Sequence, residues 1–415
     1  MPDFTHSSID FERLKERAYN YRWAELPEGV IPLTAADPDF SAPPAISEAI
    51  SRYVARGPLA YGPALGLPSF REAVAEDLIK GGVEARASQV IATDGAASAM
   101  FLTARALLEP GDEALIFDPV DFLFERSVSS AGAHALRVPF DRQLGLDLAE
   151  LERLASRPQV KMICLCAPHN PYGRLLRDEE LREVGRIARE RGLWVLSDEV
   201  WLKLRYERAQ AHSAAFEGLS ERTFTVSGFS KAYGLAGLRV GYVHAPTQAG
   251  LERLTQASHA GDTAFGASTL SQVAAVAGLR DCEAWLEAWL GHLHEARALL
   301  CGRLDRLEGL RCELPEATYL ASPEIDYDQA SMSGFDSASL AAFIMDRAQV
   351  GVVPGSPAFF GARAEGLIRF SFATSLELLS EALDRIEAVW GERAAWLAQR
   401  QASSAQLTNA AISRG

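Results

Sequence analysis

The sequence is short of lysine, of cysteine and of long apolar runs. Five lysines (Lys15, Lys80, Lys161, Lys203 and Lys231) stand against thirty-six arginines in 415 residues. Lys and Arg total 41 and Asp and Glu 55, so positive charge is in deficit and the formal net charge is −14. Such an acidic chain is repelled by nucleic acid and anionic membrane surfaces, and neither is expected as a partner. A cationic substrate is compatible with it. The five cysteines (Cys164, Cys166, Cys282, Cys301 and Cys312) are odd in number and lack metal-ligand spacing, which argues against a disulfide framework and a metal site. Cys164 and Cys166 alternate with Ile163 and Leu165 and read as buried thiols in a strand, as expected in a reducing cytoplasm. Met1 to Asp10 is polar, with no apolar signal core. No apolar run nears the roughly 20 residues of a membrane-spanning helix. What is present is ordinary for a globular protein: 48% hydrophobic and 23% charged residues, enough for a large core and about two domains.

The scarcity of lysine singles out one stretch, Gly228-Phe229-Ser230-Lys231-Ala232-Tyr233-Gly234-Leu235-Ala236-Gly237-Leu238-Arg239-Val240-Gly241. An apolar run with β-branched residues, Thr223 to Val226, leads into it. Gly228 and Ser230 break the run, and Lys231 stands just past the break. Arg239 follows inside a second Gly-rich apolar run. Where arginine is the habitual cation, a lysine suggests that the amine itself is needed. An amine can lose its proton and attack a carbonyl; a guanidinium cannot. An isolated lysine at a strand end is ordinarily a solvated one, so the surrounding pattern has to carry the argument.

Other expected strands also end in polar punctuation. Val90 to Thr93 is followed by Asp94-Gly95-Ala96-Ala97 opening a helix, where small residues let backbone N–H groups approach an anion and the helix dipole favours it. Ala114 to Asp118 ends at Pro119-Val120-Asp121-Phe122. Lys161 to Ala167 ends at Pro168-His169-Asn170-Pro171-Tyr172-Gly173, and a helix from Asp178 to Arg191 follows. Leu193 to Leu196 ends at Ser197-Asp198-Glu199-Val200-Trp201; taken alone, this Asp reads as a helix cap. Leu367-Ile368-Arg369-Phe370-Ser371-Phe372-Ala373 alternates as a strand does. An arginine in such a strand is costly unless paired, and its planar fork suits a carboxylate. Further helices are expected over Phe11–Tyr21, from Pro68, and near Ala338–Arg347. A long amphipathic one runs from Asp281 to Leu307, with Trp285, Leu286, Trp289, Leu290 and Leu293 at helical spacing.

Over about residues 30 to 395 the chain resembles the class I/II aminotransferases, which are fold-type I pyridoxal-phosphate enzymes, and the match is gap-free from Gly228 to Gly241. Pro32-Leu33-Thr34-Ala35-Ala36-Asp37-Pro38-Asp39-Phe40, with Ala42-Pro43-Pro44-Ala45-Ile46, resembles the start of the cystathionine-β-lyase-like branch, which holds C–S lyases as well as aminotransferases. The resemblance implies an α/β/α sandwich on a mostly parallel seven-stranded sheet plus a smaller α+β C-terminal domain. Residues 1–45 would be an arm joining the small domain, 46–285 the large cofactor domain, 286–400 the connector helix and small domain, and 401–415 a disordered polar tail. In the family, the lysine matching Lys231 holds pyridoxal 5′-phosphate as a Schiff base and the arginine matching Arg239 binds its phosphate. The backbone of Gly95, Ala96 and Ala97 would hold the same phosphate, and Asn170 would donate to O3′. Asp198 would keep the pyridine nitrogen protonated, because an opposite charge favours the charged form, and a pyridinium is the better electron sink. Arg369 would bind the substrate α-carboxylate. Tyr61 would reach the phosphate in the neighbouring subunit, implying a homodimer with shared active sites.

Three positions depart from the family pattern. Asp121 stands where an aromatic residue usually stacks on the cofactor ring, so either Phe122 stacks through a shifted loop or the ring is covered differently, and Asp121 could receive a basic side chain such as a guanidinium. Trp201 replaces a frequent tyrosine whose hydroxyl touches O3′; an indole N–H can donate but never accept. Gly228 replaces a phosphate-binding serine or threonine, for which Ser227 or Ser230 can substitute. The expected activity is transamination at Cα of a free amino acid. The alternative is β- or γ-elimination, as in the C–S lyases, or cyclisation of a hydroxylated arginine, as in capreomycidine-synthase-like enzymes of antibiotic pathways. Intact Lys231, Asp198, Arg239 and Arg369 speak against a non-catalytic relative.

Overall fold

The computed structural model describes residues 2–262 and 266–412, with side chains to residue 402. Its centre is a sheet of eight strands: β1 (Val90–Thr93), β2 (Glu113–Asp118), β3 (His134–Asp141), β4 (Gly145–Leu146), β5 (Val160–Cys166), β6 (Trp194–Asp198), β7 (Thr223–Gly228) and β8 (Gly241–His244), in the spatial order β1-β8-β7-β6-β5-β2-β3-β4. The seven expected strands are present, and the two-residue β4 adds an eighth at the edge. Neighbours from β7 through β6, β5 and β2 to β3 are parallel. Strand β8 runs antiparallel to both β1 and β7, and β4 is antiparallel to β3. Every residue of β1 and β2 is buried, as are all but one of β5. That continuous burial is what a sheet covered by helices on both faces requires, and it explains why these strands read as unbroken apolar runs.

Helices Ala96–Leu107, Leu123–Ser130, Leu148–Ala155 and Asp178–Arg191 return the chain between parallel strands. One core gathers Ile116, Phe117, Ile163, Leu165, Val195 and Leu196 with Phe124, Leu151 and Leu181 from those helices. A second core is built on the 22-residue helix Glu283–Leu304. There Trp289, Leu293 and Leu300 meet Phe370, Phe372 and Leu379, and also Ile9, Ile31, Leu33 and Phe40 from the N-terminal segment. Ile31–Pro32 pairs in parallel with Val350–Gly351, which ties that segment to the C-terminal part. A small antiparallel sheet places Ile368–Ser371 between Leu320–Ala321 and Val353–Pro354.

Two boundaries differ from expectation for local reasons. The first helix stops at Arg17 rather than Tyr21, because Asn20 and Tyr21 adopt φ of +66° and +62°, outside the helical region. At the other end, residues 401–412 continue the helix Arg393–Ile412 where a disordered tail was expected, and residues 413–415 lie outside the described residues. No glycine or proline interrupts 401–412, so nothing local ends the helix. Among the described residues no helix is long and apolar enough to cross a membrane.

Candidate active site

The polar punctuation noted in the sequence falls at one edge of the sheet. Asp198 closes β6, and Asn170, Asp121 and Gly95 lie just past the ends of β5, β2 and β1. Lys231 follows β7, while Arg239 precedes the antiparallel β8 and so reaches the same edge. Crevices beyond the carboxyl ends of parallel strands are where open α/β sheets bind ligands, since loops can vary there without disturbing the core.

Lys231 is the centre of this edge. Its Nζ donates to the carbonyl of Ala36 at 2.7 Å, and Tyr319 Oη donates to the same oxygen at 3.0 Å. The amine stands 5.5 Å from the centroid of the Trp201 ring, which is buried and packed edge-on against Tyr319. Burial lowers the amine's pKa from its ordinary value, and Arg369 pushes it the same way; Asp37, Asp121 and Asp198 oppose the shift. The amine is therefore partly prepared to act as a base or nucleophile.

Asp198 is pushed up to about 7, chiefly by burial, with Asp121 and Glu199 adding repulsion. The backbone N–H of Val200, 3.1 Å from Oδ1, and the charge on Lys231 act against the rise. Asp121 is raised by burial as well. Its Oδ1 accepts from the N–H of Leu123 at 3.1 Å and its Oδ2 from Asn170 Nδ2 at 3.0 Å. Asn170 Oδ1 in turn accepts from Arg369 Nη1 at 3.2 Å, so Arg369, Asn170 and Asp121 form one chain of hydrogen bonds. Arg369 is buried, stands 5.1 Å from the Phe360 ring, and leaves Nε with no hydrogen-bond partner. Among the described residues no carboxylate pairs with it. A buried guanidinium in that state is an open receptor for an anion.

The other end of the site is made of backbone. Gly95 caps the helix Ala96–Leu107 with φ +126°. A Cβ on Gly95 would stand 2.7 Å from Arg239 Nη2. A Cβ on Gly241 would stand 2.8 Å from the N of Ala96, and one on Gly228 3.2 Å from it. Three glycines thus bring the lysine strand, the arginine strand and the N-terminus of one helix together. Ala96 and Ala97 are half-buried in the first turn of that helix. Arg239, in the left-handed region at φ +51°, holds its guanidinium at the mouth, where Nη1 donates to Ala236 O at 3.1 Å. Ser227 Oγ donates to the Glu199 carbonyl at 3.3 Å. Ser230 is half-buried on the same turn, with no side-chain hydrogen bond among the described residues.

Two expected members stand apart from this cluster. Arg126 covers the Phe122 ring at 4.5 Å, and the Phe122 N–H donates to Phe359 O at 2.9 Å. Tyr61 is 92% exposed on the single chain. Four members went unnoticed in the sequence: Asp37, Tyr319, and the buried pair of Glu199 and His212. Glu199 accepts from Ser197 Oγ at 2.9 Å and from the Ser213 N–H at 2.8 Å, and it is hydrogen-bonded to His212 Nδ1. It sits behind Gly228, beside a cavity of about 150 Å³ that Asp77, Lys203 and Tyr242 also line. Asp37 stands between Ala36 and Pro38, and nothing in that run marks its carboxylate as part of a site.

The family model described as aminotransferase class I and II matches residues 28–386. The chain is 33% identical to an aspartate aminotransferase of Pyrococcus horikoshii over 372 residues, covering 88% of this chain and 92% of that protein. It is 32% identical to aromatic-amino-acid aminotransferase 2 of Thermococcus litoralis, with coverage of 88% and 93%. Among solved structures, the aromatic aminotransferase from Pyrococcus horikoshii superposes with a TM-score of 0.81 at 32% identity, over 89% of this chain and 98% of that one. Cystalysin from Treponema denticola gives a TM-score of 0.83 at 22% identity, over 94% and 99%, a likeness of fold alone.

Proposed function

Because the chain belongs to the class I and II aminotransferases, we infer that it is a pyridoxal 5′-phosphate-dependent enzyme that moves the amino group of a free amino acid. The observation that carries this reading is the half-buried, pKa-lowered amine of Lys231 acting on the desolvated Asp198 carboxylate and on Arg369, whose guanidinium pairs with no carboxylate among the described residues and leaves Nε–H without a partner. The residues fit the cofactor on their own chemistry: an amine for an aldehyde, a glycine-lined helix N-terminus with a guanidinium for a phosphate, and a carboxylate for a ring nitrogen. When bound, pyridoxal 5′-phosphate supplies an aldehyde that captures amines and a ring that withdraws electrons from Cα.

The chain supplies the rest. The N–H groups of Gly95, Ala96 and Ala97, with Ser230 and Arg239, hold the phosphate. Asp198 keeps the ring nitrogen protonated, and that positive charge offsets the burial that raises the pKa of Asp198 itself. Asn170 and Trp201 position the ring. Arg369 orients the substrate by its α-carboxylate, which accepts from the Nε–H that has no partner among the described residues. Lys231, low in pKa and close to these groups, takes the proton from Cα and returns it elsewhere. Asp121 contacts the substrate. Tyr61, exposed here, serves the site of a second copy in a homodimer. A boundary near residue 285 is supported by the core built on helix Glu283–Leu304, whereas helix Arg393–Ile412 runs through residue 400, and a reducing, cytoplasmic setting is supported by five free, buried cysteines.

The test is single turnover. Purified holoenzyme is mixed with a panel of amino acids, and products are followed by absorbance and mass spectrometry. Stoichiometric keto acid is the expected result. Loss of water or thiol with the cofactor returned unchanged would overturn transamination in favour of elimination or cyclisation, the outcome that Asp121 and Trp201 would then explain.

A further inference from the structure

We propose that the substrate carries a cationic side chain, an ammonium or guanidinium, and that Asp37 and Asp121 receive it. The proposal rests on the reading that Lys231 holds the cofactor and Arg369 the α-carboxylate, and it follows from the charges left over. Three carboxylates act on Lys231: Asp37, Asp121 and Asp198. None makes an ion pair among the described residues. Asp198 is spoken for by the ring nitrogen. Asp37 follows Ala36, whose carbonyl accepts the Lys231 amine at 2.7 Å, and its own carboxylate has no hydrogen bond among the described residues. Its compensating cations are Lys231 and Arg22. Arg22, however, is a buried partner of Asp39 and also donates to Ala35 O at 3.0 Å. Asp121 draws on Arg369 and Lys231.

Lys231 therefore acts on both carboxylates and Arg369 on Asp121, and the reaction engages both cations elsewhere. Once the Lys231 amine is bonded to the cofactor and Arg369 faces the α-carboxylate, Asp121 keeps only the N–H groups of Leu123 and Asn170 and Asp37 keeps only Arg22, which is already bonded to Asp39, so two half-buried carboxylates are left under-compensated. A cation at the far end of the substrate restores the balance. An acidic side chain in the same place would add a third repelling charge. The preference is thus opposite to that named for the aspartate aminotransferase relative.

Two pairs of amino acids, each matched in shape and differing in charge, test this: L-arginine against L-citrulline, and L-lysine against L-norleucine. Each is titrated into holoenzyme, and binding is read from the change in the cofactor's visible absorbance band, independently of turnover. Arginine and lysine are expected to bind at least about tenfold more tightly than their neutral partners. That ratio should fall towards one in Asp37→Asn and in Asp121→Asn, which keep the shape of the side chain. Equal affinity within both pairs overturns the proposal, and so does a charge preference that survives in both variants. Neutral amino acids that shift the band while arginine and lysine do not would sink the proposal and leave the aminotransferase reading standing. A chain with no visible band, or one that no amino acid shifts, would sink both.

Discussion

The two halves of the site are made of different materials. The cradle around Gly95, Gly228, Gly241 and Arg239 is mostly backbone: its shape depends on atoms that glycine leaves out. The opposite half, from Asp37 through Lys231 to Asp121, Asn170 and Arg369, is made of side chains whose charges compensate one another imperfectly. A backbone cradle holds any ligand with the right anion, whereas a wall of unbalanced charges chooses among ligands. The first half suits a constant cofactor, the second a particular substrate.

The largest expected effect removes the group shared by both halves. Lys231→Ala should lower turnover by about a thousandfold or more and abolish the visible band of the bound cofactor; a persisting band would show that another group carries it. Next, Arg369→Ala acts on the side-chain half alone. KM for the amino acid should rise by about a hundredfold while the cofactor band persists. An unchanged KM would remove Arg369 from the carboxylate site. Gly241→Ala acts on the backbone half alone. The added Cβ lies 2.6 Å from the carbonyl carbon of Gly95, so the cradle must open. With about 1–3 kcal/mol of strain, cofactor affinity should fall roughly tenfold, measured by titration of apoenzyme, while the arginine to citrulline ratio stays as it was. A change in that ratio would show that the two halves are not separable.

The smallest effect concerns pH and the apoenzyme. Burial pushes the Asp198 carboxyl up to about 7 in the folded chain, against 3.8 for a free carboxyl. The folded chain therefore binds the proton more tightly than the unfolded chain does. Stability from this group is full below about pH 4 and is lost as pH rises towards 7. Asp198→Asn should raise the apoenzyme Tm by a few degrees at pH 8, with the difference shrinking as pH falls to 4. A constant difference across that range would show that burial is not what perturbs Asp198.

Much of the cofactor half was legible in the sequence. Gly228, Lys231, Arg239 and Gly241 are close together in the chain, and the strands on either side have the continuous burial that apolar runs announce. Helices Asp178–Arg191 and Pro68–Lys80 also begin and end where their Pro, acidic and Gly signals stand. Asp37 was hidden because its importance lies in what it meets rather than in its own surroundings. The first helix ends short of the expected Tyr21 for a similar reason, since the left-handed turn at Asn20 and Tyr21 is held by contacts from elsewhere, among them the Thr34 hydroxyl donating to Tyr21 O.

By itself, the sequence determined the sheet, its strand ends and the lysine segment, because hydrophobic period and glycine act within a few residues. Only the tertiary structure decided the charge balance of the substrate half. The bond from Lys231 to Ala36 spans 195 positions, that from Arg369 to Asn170 spans 199, and that from Asn170 to Asp121 spans 49. Electrostatic compensation depends on distance in space and on exclusion of water, and neither exists until the chain has closed on itself.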